Sequence, residues 1–192
     1  MTPINARGLL VLHAVANEPE SGRPPDRFDD LFQRLYVELY GLACSVVGSR
    51  SETEDIVQEA FLKLIDAPVL ERPDAEVRAW LRRVCLNLSF NRVRDRRRAQ
   101  ARLERAGRLE MAGADVQIDD PSALVLSREA RDEVRLALAE LPERQRNCVL
   151  LRHSGYSYAE IAATVGVAVG SVGVLLARGE RAFREIYEEQ RR

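Results

Sequence analysis

The sequence predicts an all-α protein: two small helical domains, at 28–98 and 129–192, joined by a flexible linker at 99–128, with an N-terminal tail at 1–27. Three observations predict this. Apolar residues recur at three- and four-residue steps through long stretches on either side of the centre. No stretch alternates apolar and polar residues between turn signals, so no strand is expected. Gly107, Gly113, Asp115, Asp119, Asp120 and Pro121 interrupt the helical pattern between the two halves.

The tail is punctuated by Pro3, Pro19, Gly22, Pro24 and Pro25, with room for a short helix around Leu9–Val15. From Phe28 the pattern changes. Phe28, Leu31, Phe32, Leu35, Tyr36, Leu39, Leu42, Ala43 and Val46 form one stripe on a long helix, which Gly48 stops. Ser51–Glu54 has capping-box form, with Ser51 as cap and Glu54 reaching back. The helix it starts turns Ile56, Val57, Ala60, Phe61, Leu64 and Ile65 inward and Asp55, Gln58 and Glu59 outward. Pro68 and Pro73 bracket a loop. A third helix starts near Asp74 and buries Val77, Trp80, Leu81, Val84, Cys85 and Leu88, while Asn87, Asn91, Arg94 and Arg98 share its other face. Helical pattern returns at Val134, Ala137, Leu138 and Leu141, and Pro142 suits the first turn of the next helix. Gly155 ends that helix. Ser157–Glu160 is a second capping box, and two further helices split at Gly166.

Composition narrows the function classes. With 46% apolar and 31% charged residues, the 192-residue chain is too apolar for a wholly disordered one. No apolar run approaches the ~18 residues a membrane span needs, and no signal peptide is expected. Cys44, Cys85 and Cys148 are too far apart for a disulfide framework or a zinc site, so they read as buried free thiols in a reducing cytoplasm. No cofactor is expected. There is no P-loop, no glycine-rich dinucleotide fingerprint and no nucleophile elbow, so the chain does not read as an enzyme.

The net charge of −1 hides a strong asymmetry. Residues 1–76 carry 7 basic and 14 acidic side chains, net −7. Residues 77–108 carry 11 arginines and 2 acids, net +9. Residues 109–192 carry 11 basic and 14 acidic side chains, net −3. Arginine holds phosphates, Asn reads base edges and an aromatic ring stacks on an unpaired base. Trp80, Asn87, Asn91 and the arginines around them supply all three types along one helix, although Trp80 also suits the core. At Tyr158–Ala177 the spacing of Ile161, Ala162, Val165, Gly166, Val167, Val172 and Leu175 fits a DNA-binding helix-turn-helix.

The order of these parts resembles the extracytoplasmic-function sigma factors, compact bacterial initiation factors. The stretches "EDIVQEAFLKLI", "AWLRRVCLNLSFNRVRDRRR" and "ALAELPERQRNCVLLRHSGYSYAEIAATVGVAVGSV" carry the resemblance, which covers about residues 28–188. It implies a factor that binds core RNA polymerase, through its β′ and β subunits, and recognises and opens promoter DNA. Residues 28–98 would be region two. Asp55, Gln58 and Glu59 would dock on the β′ clamp helices. Trp80, Asn87, Asn91, Arg94, Arg96, Arg97 and Arg98 would melt and read the minus-ten element. The 99–128 linker, with Asp115, Asp119 and Asp120, would thread near the polymerase active site and RNA exit path. Residues 129–192 would be region four, reading the minus-thirty-five element through Arg152, Ser171, Arg178 and Arg181. An anti-sigma factor is the regulatory partner the family implies, and the expected place of action is the cytoplasm, without membrane insertion. The alternative is a helix-turn-helix regulator that does not act as a sigma factor. One stretch departs from the family: between Gly170 and Gly179 only Ser171 and Arg178 are able to bond bases or phosphates. Gly173 and Gly179 there each lower helix propensity by about 1 kcal/mol against Ala. A weaker minus-thirty-five readout is therefore expected.

Overall fold

The computed structural model describes residues 27–105 and 128–191, and among them there are seven α-helices, one 3-10 turn and no strand. The first helix, α1 (Arg27–Val47), buries Leu31, Leu35, Leu39, Leu42, Ala43, Val46 and Val47. This is the predicted stripe. Each leucine so buried contributes about 1.5–3 kcal/mol of transfer free energy. Gly48 then turns the chain with a φ of 70°, a left-handed conformation that glycine adopts without a steric penalty.

The cap of α2 (Arg50–Ile65) corrects the sequence reading. Ser49, not Ser51, is the N-cap, and its hydroxyl accepts from the Glu52 N–H at 3.4 Å. Ile65 is also corrected: it is 52% exposed, because Phe61 and Leu64 take the inward positions of the last turn and Ile65 lies off that face. A 3-10 turn at Pro68–Glu71 leads to α3 (Asp74–Arg105), which packs across both α1 and α2. The helix α3 runs past residue 98, so the expected linker begins as helix. The remaining linker residues, 106–127, lie outside the described residues, as do their three aspartates and the tail at 1–26.

The C-terminal half holds α4 (Arg128–Glu140), α5 (Glu143–His153), α6 (Tyr158–Val165) and α7 (Val169–Gln190). Ser157 and Glu160 form the predicted capping box in both directions. Gly166 has a φ of 73°, and the axes of α6 and α7 differ by 86° across that turn. Ile161, Ala162, Val165, Val172 and Leu176 are buried between them, which is the helix-turn-helix wedge. Leu175, expected in the wedge, is half-buried at its side. Gly179 has a packing reason: a Cβ there would meet Val149 Cγ2 at 2.8 Å, where α7 crosses α5.

The two halves do not stand apart. Their buried apolar residues form one continuous cluster, and α6, α4 and α5 all contact α3. The helix α3 is consequently covered on two sides. Leu86, Phe90 and Val93 are buried in addition to the predicted stripe, as is Ser89, whose hydroxyl donates to the Cys85 carbonyl at 2.8 Å. Cys85 and Cys148 are buried free thiols, whereas Cys44 is only half-buried. Burial pushes the Cys85 thiol up to about 12, which keeps it protonated and inert. No single described helix is long and apolar enough to cross a membrane.

Candidate nucleic-acid and polymerase interfaces

The basic helix α3 presents its polar residues in two groups. The first faces the C-terminal half. Arg82 is 4% exposed; its Nε donates to Glu38 at 2.5 Å and its Nη2 reaches Glu160 at 3.5 Å. Its guanidinium lies 4.4 Å from the Tyr156 ring centroid, and the Tyr156 hydroxyl donates to Glu38 at 3.2 Å. Burial, then Glu38, pushes that phenol up to about 12, so it remains a donor. Arg83 Nε donates to the Thr164 carbonyl at 2.5 Å, at the C-terminal end of α6, where the helix dipole favours a cation. Asn87 Nδ2 donates to Glu143 at 3.1 Å, and Arg97 pairs with Glu140.

The second group is turned toward solvent. Asn91 is exposed and accepts from Nη2 of the half-buried Arg94 at 2.8 Å, so the two present a joined amide and guanidinium. Arg98 is exposed beside Asp95. Arg96 is committed within its own half, reaching Glu52 at 3.2 Å and the Val47 carbonyl at 3.4 Å. Trp80 is half-buried and packs against the apolar core.

A different surface forms on α2. Asp55 and Glu59 are exposed and Gln58 is half-buried; Glu59 pairs with Lys63 at 3.4 Å. Leu62, 44% exposed, follows Asp55 and Glu59 on the same helical face, with Ile65 one turn from it. Exposed apolar side chains beside charged ones suit a protein partner better than a solvated face. Sequence reasoning missed Leu62 and turned Ile65 inward. The signal was present, since Ile56, Val57, Ala60, Phe61 and Leu64 already fill the inward positions of this helix.

On the helix-turn-helix, Ser171, Arg178 and Arg181 are exposed along α7. Val174 is 53% exposed between them, and Gly170 has open space where a side chain would be. Arg152 is exposed and lies 5.8 Å from the Tyr158 ring centroid, at the edge of this face. All four expected helix-turn-helix contacts therefore lie on the solvent side of one unit. The expected minus-ten residues are divided by partner: Asn91 and Arg94 pair with each other and Arg98 lies beside Asp95, Asn87 and Arg97 reach the C-terminal half, and Arg96 and Trp80 meet the N-terminal half, with Arg96 and Arg97 still exposed.

Residues 31–99 match the family model of sigma-70 region 2, and residues 131–183 match that of sigma-70 region 4. The ECF RNA polymerase sigma-E factor of Escherichia coli K12 is 35% identical over 161 residues, covering 81% of this chain and 84% of that protein. The ECF RNA polymerase sigma factor SigE of Mycolicibacterium smegmatis is 30% identical over 161 residues, covering 82% of this chain and 60% of that protein. In fold, the sigma factor RpoE of Bartonella quintana, solved with the anti-sigma factor NepR, superposes with a TM-score of 0.50 at 23% identity, covering 83% of this chain and 97% of that one.

Proposed function

The chain belongs to the extracytoplasmic-function RNA polymerase sigma factors, and on that footing we propose how its surfaces divide the work of transcription initiation. Residues 28–98 serve as region two and 129–192 as region four. The acidic face of α2 docks on core polymerase, with Asp55, Gln58 and Glu59 around Leu62 and Ile65. The arginine face of α3 holds the minus-ten strand: Asn91 and Asn87 read bases, while Arg94, Arg97 and Arg98 hold phosphates. The outer face of α7 meets the minus-thirty-five duplex through Ser171 and Arg178, with Arg152 and Arg181 on flanking phosphates. The factor contributes no reaction of its own. The polymerase makes the phosphodiester bond, and the factor selects and melts the template. An anti-sigma factor is the proposed regulator, and the compartment of action is the cytoplasm, where polymerase and promoter DNA are.

The joint arrangement of a basic region-two helix and a helix-turn-helix in one chain supports this reading most. A plain regulator would account for the helix-turn-helix but leaves the match over 31–99 without a role. The test is transcription from genomic fragments by purified core polymerase, with and without the protein. Discrete start sites that depend on the protein are expected. Intact core binding without any start site would remove the promoter-reading role. In the same assay Asp55→Lys with Glu59→Lys should abolish stable core binding, and unchanged affinity would remove the docking face.

A further inference from the structure

The first turns of α7 carry almost none of the side chains that hydrogen-bond bases. Val172, Leu176 and Gly179 fix the inner face of the helix. Gly170, Val174, Ala177 and Arg181, at four-, three- and four-residue steps, therefore form the ridge farthest from the core, and all four are exposed. Over residues 169–176 the only polar side chain is Ser171. The second helix of a helix-turn-helix sets these N-terminal turns against base edges in the major groove. The side chain that projects there is the isopropyl group of Val174, 53% exposed. In the major groove the four bases show one apolar group, the C5-methyl of thymine. We infer that Val174 sets promoter specificity by reading that methyl in the minus-thirty-five duplex. This rests on the reading of α7 as the minus-thirty-five helix.

The backbone around Val174 is cleared for close approach. Gly170 has open space where a Cβ would be, and at Gly173 a Cβ would meet nothing nearer than Tyr158 Cε2, at 3.9 Å, an ordinary contact. Neither glycine has a positive φ. Packing and backbone conformation would accept alanine at both places, and each glycine lowers the helix propensity against alanine. Gly179 differs, since a Cβ there would collide with Val149. Glycine also lets a backbone come close to a ligand. The methyls of a valine lie two bonds from its Cα, so they touch a base methyl only when the helix backbone sits deep in the groove. Gly170 one turn before Val174, Gly173 beside it and Ala177 after it permit that depth. Arg178 and Arg181 on the following turns, with Arg152, hold phosphates and set the register, and Ser171 adds a hydrogen bond.

The test uses holoenzyme assembled from purified core polymerase and the full chain. Its probe is a fluorescent duplex carrying a promoter recovered by the transcription assay. Each thymine of the upstream element is replaced in turn by deoxyuridine, which removes the methyl alone. At one or two adjacent thymines the replacement should weaken binding about fourfold, the fold-change that corresponds to one buried CH₂ group. In Val174→Ser the same penalty should fall below about 1.5-fold. In Val169→Ser, which alters a valine 51% exposed but off the ridge, it should persist. Equal penalties in the native protein and Val174→Ser would overturn the inference, as would the lack of any thymine that responds to its methyl. A second arm adds bulk to the ridge. Gly170→Leu should weaken promoter binding about fivefold and abolish the deoxyuridine penalty, with Tm unchanged or raised. Unchanged binding with the penalty intact would overturn the close approach, and the inference with it. A duplex with a scrambled upstream element separates the two levels. If it binds as well as the native promoter, α7 is not the minus-thirty-five helix and the underlying reading falls too. If scrambling weakens binding and deoxyuridine does not, the inference alone falls.

Discussion

The two expected DNA-reading helices are built to opposite plans. On α3 the polar residues are numerous, and half of them are engaged by other parts of the chain. On α7 the outer face is sparse, small and entirely open. The face on α3 needs access, because its side chains already have partners to leave. The face on α7 needs affinity, because little projects from it: Ser171, Val174, Arg178 and Arg181 stand among glycines and alanines. The difference teaches that two helices proposed for the same kind of work can be built one from side chains engaged within the chain and the other from side chains left open.

The contrast is broken most sharply at the accessible part of α3. Asn91→Ala combined with Arg94→Ala should lower open-complex formation about 100-fold, roughly 3 kcal/mol, while leaving core binding within about twofold. Permanganate footprinting of the melted strand checks this, and an equal loss of core affinity would argue against base and phosphate contact. Next in size is Gly179→Val. Its Cβ would fall 2.8 Å from Val149 Cγ2 and 3.2 Å from the Gln145 carbonyl, so α7 must shift on α5. A loss of about 2 kcal/mol, typical of overpacking, should appear as a lower Tm. If Gly179→Val is tolerated, the sparse face of α7 does not depend on this close crossing.

Arg178→Ala should have a smaller effect. It should weaken binding to the upstream duplex by about 1 kcal/mol and reduce the salt slope of log K by about one, the signature of one lost phosphate contact. An unchanged slope would take Arg178 off the DNA. The smallest effect concerns pH. The Ser157 backbone N–H, then the Ser157 hydroxyl and Arg82, hold the Glu160 carboxyl below its ordinary 4.5. The folded state thus favours the carboxylate. Its contribution is complete above pH 4.5 and is lost as pH falls through the lowered value. The Glu160 side chain is 44% exposed, which keeps the effect small. A Tm gap between the native protein and Glu160→Gln at pH 6 should close on acidification, and a gap independent of pH would remove the charge from the explanation.

Local signals in the sequence are legible where one helix face meets one partner. The stripe of α1, the start of α3 at Asp74, the Ser157–Glu160 box and the turn at Gly166 are all set by residues within a few positions of each other. The cap of α2 is ambiguous for a physical reason. Ser49–Glu52 and Ser51–Glu54 both have the three-residue spacing, and the left-handed turn at Gly48 selects the earlier serine. The contacts between halves are not legible, because Asn87 and Glu143, or Arg83 and Thr164, are joined by folding across 56 and 81 residues. One trace of them is present. Leu86, Phe90 and Val93 lie off the single stripe assigned to α3, and a helix with extra apolar positions among its polar ones is covered from a second side.

The helix α7 separates its duties cleanly by face. Val172, Leu176 and Gly179 hold it in the wedge, and Ser171, Val174 and Arg178 touch nothing that the fold needs. Under the proposed roles, promoter preference and folding are written in different residues of the same helix. Natural variation can retune the outward positions without a stability penalty, so duplicated copies can diverge to separate gene sets. The same separation makes this helix a practical place to install orthogonal promoter codes, by randomising three outward positions on an unaltered scaffold.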